Sequence, residues 1–280
     1  MEMIMKKMEK VEPKSRLLVI DAGNSNITFG VCNGKTIEHQ WRIQSRSEKS
    51  SDEYGIQLEQ ILLHFGYESD SIKDVIVGSV VPSLNHAFVS LCHRYLSLDP
   101  YIVGEGTKTG MPIRLESPKD VGADRIIDAV AGYEKYGGPL VIVDIGTAIT
   151  HEAVSSKGEY LGGSIAPGVN IGLEGLTTKT AKLPKVELNH LNHSIGKNTI
   201  EAMQIGIVQG YLGLVDHLTE NIIRELEKTE KDKIKVVATG GFSGLLSQRS
   251  RFINIIDRDL CLDGLRIIYE RTINAKTYGK

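Results

Sequence analysis

The sequence predicts an α/β protein built from two copies of one β-β-β-α-β-α order. Three observations carry that reading. The stretch RLLVIDAGNSNITFGV, residues 16–31, runs apolar into Asp21 and then at once into Gly23 and Asn24, and GPLVIVDIGTAITHEAV, residues 138–154, repeats the pattern through Asp144, Gly146 and Thr147. Each pair of strands leads to a two-residue turn signal, Asn33-Gly34 in the first half and Lys157-Gly158 in the second, as a hairpin requires. Beyond each set of strands the apolar spacing changes from alternation to the 3.6-residue period of a helix.

The elements follow in order. Residues 16–20, 26–33 and 35–43 read as three strands. In residues 52–66 the apolar positions 56, 58, 61, 62 and 65 and the closing Gly66 make an amphipathic helix, with Asp52 as its cap. DVIVGSVVPSL is a buried strand ended by Ser79 and Pro82, NHAFVSLCHRYLSL a helix and PYIVG a short strand. The second half has strands PLVIVDIG, ITHEAVS and GEYLGGSIAPG, helices near 170–178 and 198–228, then strand IKVVATGG, helix FSGLLSQR, strand FINIIDRDL and helix LDGLRIIYERTINAK. Residues 16–120 and 121–280 are the expected domains, and the helix that starts near Ala123 suits either one.

Composition narrows the class of function. With 280 residues, a net charge of −2 and a pI near 6.5, the chain has no basic field for nucleic acid or an anionic membrane. No apolar run approaches the ~20 residues that cross a bilayer. Residues 1–15 hold lysines without an apolar core and read as a flexible tail rather than a secretory signal. Cys32, Cys92 and Cys261 are odd in number and widely spaced, so a disulfide framework is not expected and the compartment reads as reducing and cytoplasmic. His190 and His193, in a polar loop, are expected to be solvated rather than zinc ligands.

The chemistry is expected at four places. At each Asp-x-Gly turn a glycine removes side-chain bulk, so that backbone N–H groups and the side chains of Asn24, Ser25 or Thr147 can donate to phosphate oxygens. A carboxylate there repels phosphate directly, and its natural task is to hold a cation that neutralises it. A capped turn explains one copy by itself; two copies at matching places point to two halves of one site. In VVATGGFSGLL, Gly240 and Gly241 follow a strand and precede a helix, which suits the approach of a ribose or ring. VGADRIIDAV opens an amphipathic helix with Asp124 and Arg125 in its first turn. An acid there can be a dipole partner only, or a general base beside a guanidinium that grips an anionic substrate, which is most of what phosphoryl transfer asks of a protein.

Taken in order, DAGNSNITFG, VVPSL, VGADR, DIGTAIT, GGSIAPG, IGKNTIEAMQIG and TGG resemble the type III pantothenate kinases over residues 16–275. That family belongs to the acetate kinase/sugar kinase/Hsp70/actin superfamily, so the resemblance implies two actin/ribonuclease H-like domains with an ATP cleft between them. It also implies ATP-dependent phosphorylation of pantothenate, the first step to coenzyme A, with Mg²⁺ and a monovalent cation (K⁺ or ammonium), by a homodimer. Residue by residue it implies Asp124 as general base and Gly122, Ala123, Arg125 and Thr199 around pantothenate. It gives Asp21, Ala22, Gly23, Asn24, Ser25, Asn26, Ile27, Thr28, Thr147, Gly240 and Gly241 to ATP, Asp21 to magnesium through water, and Asp144 to the monovalent cation. Thr199 is equally a first-turn or capping residue of its helix.

Three positions depart from the family pattern. Leu115 stands nine residues before Asp124, where a substrate-touching tyrosine is usual. Ile149 replaces a threonine, which is expected to remove a hydroxyl from the phosphate turn. Glu152 stands where aspartate is frequent. Two other readings remain: a non-catalytic ATP-binding accessory protein of the same family, and a kinase of the superfamily acting on a sugar.

Overall fold

The computed structural model describes residues 15–278, so the expected N-terminal tail lies outside the described residues up to position 14. The chain divides into two compact units, residues 1–102 and 103–280.

In the first unit β1 (Arg16–Ala22), β2 (Asn26–Asn33) and β3 (Thr36–Gln44) form an antiparallel meander. After α1 (Ser51–His64) the chain returns as β4 (Ile72–Ser79), parallel to β1, and after α2 (Pro82–Leu91) as β5 (Tyr101–Val103), giving the sheet order β3-β2-β1-β4-β5. Gly34 takes the left-handed conformation of the first hairpin, at φ 57°. The helix cap is Ser50 rather than Asp52: the Ser50 backbone donates to Glu53 Oε2 at 2.8 Å, and Glu53 N donates to Ser50 Oγ at 3.3 Å. Ser-x-x-Glu closes both ends of this exchange, which leaves Asp52 to pair with Arg94 and the Tyr95 hydroxyl. Pro82 is the first residue of α2 rather than the end of a strand, a place where its missing N–H has no partner to lose. Leu18, Ile20, Phe29, Tyr54, Leu58 and Phe88 fill the core.

The second unit repeats the topology. α3 (Ala123–Tyr136) precedes β6 (Leu140–Ile145), β7 (Ala148–Val154) and β8 (Tyr160–Pro167), which are antiparallel neighbours. α4 (Val169–Lys179) and α5 (Thr199–Leu226) lead to β9 (Lys235–Thr239), parallel to β6; α6 (Ser243–Leu246) leads to β10 (Ile255–Ile256), and α7 (Leu260–Tyr278) closes the chain. Read from its hairpin edge, the sheet order is β8-β7-β6-β9-β10, the same as in the first unit. β10 is far shorter than the expected strand over FINIIDRDL.

The boundary lies 18 residues earlier than expected, between 102 and 103 instead of 120 and 121. Long-range hydrogen bonds to backbone carbonyls are the reason. Tyr160 N donates to the Pro112 carbonyl at 2.8 Å, Arg114 N to Tyr160 O at 2.9 Å, and Arg271 Nη1 to Thr109 O at 2.5 Å. α3 belongs with this unit because α7 packs on it. Gly264 permits the close approach, since a Cβ there would strike the Ile127 backbone. Lys135 near the end of α3 then bridges Asp257 at 2.6 Å and Asp263 at 2.5 Å.

Candidate active site

Asp124 occupies the first turn of α3, directly after the Gly122 N-cap and Ala123. Its Oδ1 accepts from Arg125 N at 2.9 Å, so the carboxylate curls back over its own helix start. That posture needs Gly122, where any Cβ would collide with Asp124 Oδ1. Ile126, Ile127 and Val130 bury the helix behind it. Burial holds the Asp124 carboxyl above its ordinary range, against the opposing pull of the Arg125 amide and guanidinium.

Arg125 reaches across to β7 and β8. Its Nε donates to Glu152 Oε1 at 2.9 Å, its Nη2 to the His151 carbonyl at 3.4 Å, and its Cζ stands 5.8 Å from the centre of the Tyr160 ring. Glu152 is fully buried, and burial pushes its carboxyl up to about 7 in spite of Arg125. Burial likewise raises the Tyr160 phenol and depresses His151 to about 4. Gly163 makes room for the group, since a Cβ there would strike the His151 carbonyl and stand 3.3 Å from Arg125 Nη2. Leu115 lies beside the same strand: a Cβ on Gly162 would come within 3.1 Å of its Cδ2.

The second cluster gathers where β6 ends. A Cβ at Gly146 would stand 3.4 Å from both carboxylate oxygens of Asp144, and one at Gly240, whose φ is 85°, would collide with Asp144 Oδ1 and with the Ile145 backbone. Phe242 N donates to Ile145 O at 3.0 Å, and Gly168 N to the Thr147 carbonyl at 3.1 Å, which joins this turn to the starts of α6 and α4. Asp144 therefore stands beside Gly146 and Gly240, where a side chain on either glycine would crowd its carboxylate. A carboxylate is a donor that suits a hard cation.

In the first unit Asp21 is the penultimate residue of β1, paired with Thr28 on one side and Gly78 on the other. Gly23 N donates to Asn26 O at 2.9 Å, and a Cβ on Gly23 would stand 3.2 Å from that oxygen. Asn24, Ser25 and Asn26 are exposed, Thr28 is half-buried and accepts from Arg42 Nε at 3.3 Å, and Ala22 and Ile27 are buried in the core. Ala22 and Ile27 thus offer a ligand only their backbone. One strand-end carboxylate beside an open turn fits Mg²⁺, which keeps several waters and takes most other ligands from substrate phosphates.

The structure gathers Asp124 with Arg125, and Asp144 with Thr147 and Gly240. Gly241 and Thr199 stand exposed at the starts of α6 and α5. Asn198, not Thr199, caps α5, its Oδ1 accepting from Glu201 N at 2.9 Å. His190, expected to be solvated, donates to the Leu245 carbonyl at 2.5 Å, and His193 faces Glu201 at 3.5 Å. Ile149 is fully buried in the core of the second unit. In the sequence Glu152 stands out only as a departure from the family pattern; the further signal is two titratable residues, His151 and Glu152, in a strand that is otherwise mostly apolar.

A family model for type III pantothenate kinases matches residues 17–221. A type III pantothenate kinase from Pelobacter propionicus is 47% identical over 255 residues, covering 91% of this chain and 99% of the relative. One from Finegoldia magna is 46% identical over 258 residues, covering 92% and 98%. The chain belongs to the type III pantothenate kinase family. Among solved structures, a conserved Baf family protein from Campylobacter jejuni matches with TM-score 0.56 at 20% identity over 92% of this chain and 99% of that one. The ethanolamine utilization protein EutJ from Carboxydothermus hydrogenoformans matches with TM-score 0.51 at 12% identity over 90% and 89%. These two show the fold alone, a duplicated α/β fold. As a type III pantothenate kinase the protein is an enzyme of phosphoryl transfer, and nothing in these comparisons favours the non-catalytic alternative. Among the described residues no helix is long and apolar enough to cross a membrane.

Proposed function

We propose that this chain phosphorylates pantothenate with ATP to 4'-phosphopantothenate, the first step of coenzyme A synthesis, with Asp124 as the general base. The observation that carries the assignment is the half-buried Asp124 carboxylate, raised by burial and fixed at a helix start by the neighbouring Arg125 amide. A raised carboxyl is better matched to accepting a hydroxyl proton near neutrality than an ordinary one. Arg125 would meet the pantothenate carboxylate, with Gly122, Ala123 and Thr199 beside the substrate. The Asp21 turn, from Asp21 to Thr28, would serve the ATP phosphates, with Asp21 holding Mg²⁺ through water. Thr147 would donate to a phosphate oxygen, Gly240 and Gly241 would admit the nucleoside, and Asp144 would hold K⁺ or ammonium. Bound there, the cations neutralise phosphate charge; the chain's own part is to align the hydroxyl, accept its proton and exclude water. We further propose that the enzyme acts in the cytoplasm as a homodimer.

The test is pantothenate-dependent ADP release by the purified protein, run with K⁺ and with Na⁺ alone, for wild type and Asp124→Asn. The asparagine keeps an acceptor for Arg125 N, so fold and ATP binding should persist while turnover falls at least ~10²-fold. Wild-type activity on a panel of sugars but not on pantothenate would reverse the substrate assignment, and a fully active D124N protein would remove the base.

A further inference from the structure

Glu152 is an expensive residue for this fold. It is completely buried, one of its carboxylate oxygens, Oε2, has no hydrogen-bond partner among the described residues, and the nearby Tyr160 hydroxyl has none either. Buried polar atoms are normally satisfied, and a half-satisfied buried charge weakens a fold more than an apolar side chain of the same volume. Its Oε1 nevertheless makes one well-formed bond, to Arg125 Nε at 2.9 Å. That bond takes the inner edge of the guanidinium, while the His151 carbonyl at 3.4 Å takes Nη2 from one side and the Tyr160 ring lies 5.8 Å away. None of these contacts uses Nη1. Arg125 is thus held along one edge, which leaves Nη1 outside these three contacts, on the residue next to Asp124.

We infer that Glu152 is the positioning residue for Arg125, aiming its guanidinium at the anionic end of the substrate and so setting the affinity for pantothenate. The inference rests on the pantothenate kinase reading for its substrate and on geometry for its mechanism. Glu152 touches neither the reacting atoms nor the phosphates; it acts through Arg125. The neighbouring strand is built for the same end, since Gly163 leaves space that any side chain would take from Arg125 Nη2. A stabilising role for the pair would predict that removing it harms the fold. A positioning role predicts the opposite separation, because an apolar residue of similar volume satisfies the core while releasing the arginine.

The experiment compares wild type, Glu152→Met and Glu152→Gln. E152M should fold at least as stably as wild type, raise KM for pantothenate roughly 10- to 100-fold, as losing one bond that orients a charged group does, and leave KM for ATP unchanged and kcat within about threefold. E152Q keeps an acceptor at Oε1 for Arg125 Nε and should bring KM back to within about threefold of wild type. An E152M protein that is destabilised with KM unaltered, or an E152Q protein as impaired as E152M, overturns the proposal. A crystal structure of E152M reads the geometry without turnover: a guanidinium that has left the Tyr160 face supports the positioning role, and one that has not moved refutes it. Absence of pantothenate turnover in wild type would overturn the substrate reading instead, and the displacement of Arg125 would still decide the role of Glu152.

Discussion

The two central hairpins of this chain share one frame and use it differently. Asp21 pairs with Thr28 in the first, and Asp144 with Thr150 in the second; the next register pairs are Ala22 with Ile27 and Ile145 with Ile149. One step further in, Phe29 and Gly30 on β2 stand where β7 has His151 and Glu152. The first hairpin keeps its middle strand apolar and leaves its turn open, with Asn24, Ser25 and Asn26 exposed. In the second, a shorter turn closes against Gly168 and Gly240, and two ionisable groups enter the interior. The strand-end carboxylate is common to both. What differs is the bulk and polarity of its neighbours, and that decides whether the turn stays open or is closed in by neighbouring backbone.

The partner of the strand-end carboxylate on the parallel side gives the sharpest way to break the comparison. Ser79 follows Gly78 on β4, whereas Gly240 follows Thr239 on β9. Gly240→Ser therefore copies the first unit into the second. Its Cβ would fall on Asp144 Oδ1 and the Ile145 backbone at a φ of 85°, adding backbone strain of about 1–3 kcal/mol to a collision that backbone cannot yield to easily. The expected total is about 4 kcal/mol or more, the range of exceptional single substitutions. Denaturant unfolding and ADP release should both report it; a stable, active G240S protein would show that the space around Asp144 is not sterically closed.

A second test uses the ionisable residues of β7. His151 is depressed to about 4 by burial. Its unfolded form takes a proton below about 6.5 while the folded form resists until about 4, so the group withdraws stability as pH falls through that window, by roughly 3 kcal/mol in all. Glu152 works in the other direction. Raised to about 7, it stays protonated in the fold after the unfolded chain has released its proton near 4.5, and it withdraws stability as pH rises from there to about 7. His151→Asn should flatten the acid side of the stability curve and leave the alkaline side alone. Thermal or urea unfolding from pH 4 to 8 measures it, and an acid limb unchanged in H151N would mean that the histidine is charged in the folded protein.

Much of this was legible in the sequence, and the part that was not has a common cause. The Asp-x-Gly turns, the hairpin glycines and the order of elements are local patterns, and each survived in the fold. The cap of α1 moved only two residues, from Asp52 to Ser50, because a reciprocal Ser-Glu exchange outcompetes a lone aspartate. By contrast, the unit boundary depends on Thr109, Pro112 and Arg114 bonding to Arg271 and Tyr160, and the Arg125–Glu152 pair joins residues 27 apart. No window of neighbouring letters contains such a contact. Glu152 could be noticed as an acid in a buried strand, but only the packing of α3 on β7 shows what it holds.

Ile149 offers the smallest and most discriminating change. By sequence its place in DIGTAIT suggested a missing phosphate hydroxyl, but by register it matches Ile27, and both side chains are fully buried. Side chains alternate along a strand, so Thr150 and Glu152 face α3 while Ile149 faces the opposite core with Ala153. Ile149→Thr should then add nothing to catalysis: it exchanges a buried ethyl group for a hydroxyl with no partner, a loss of about 2–4 kcal/mol in stability. Ile27→Thr should lose a similar amount, since the two positions are the same place in a duplicated frame. The comparison is made by measuring unfolding free energies of both variants beside KM for ATP. Equal stability losses with KM for ATP unchanged would confirm that both isoleucines belong to the core; a lower KM for ATP in I149T alone would return this position to the phosphate turn.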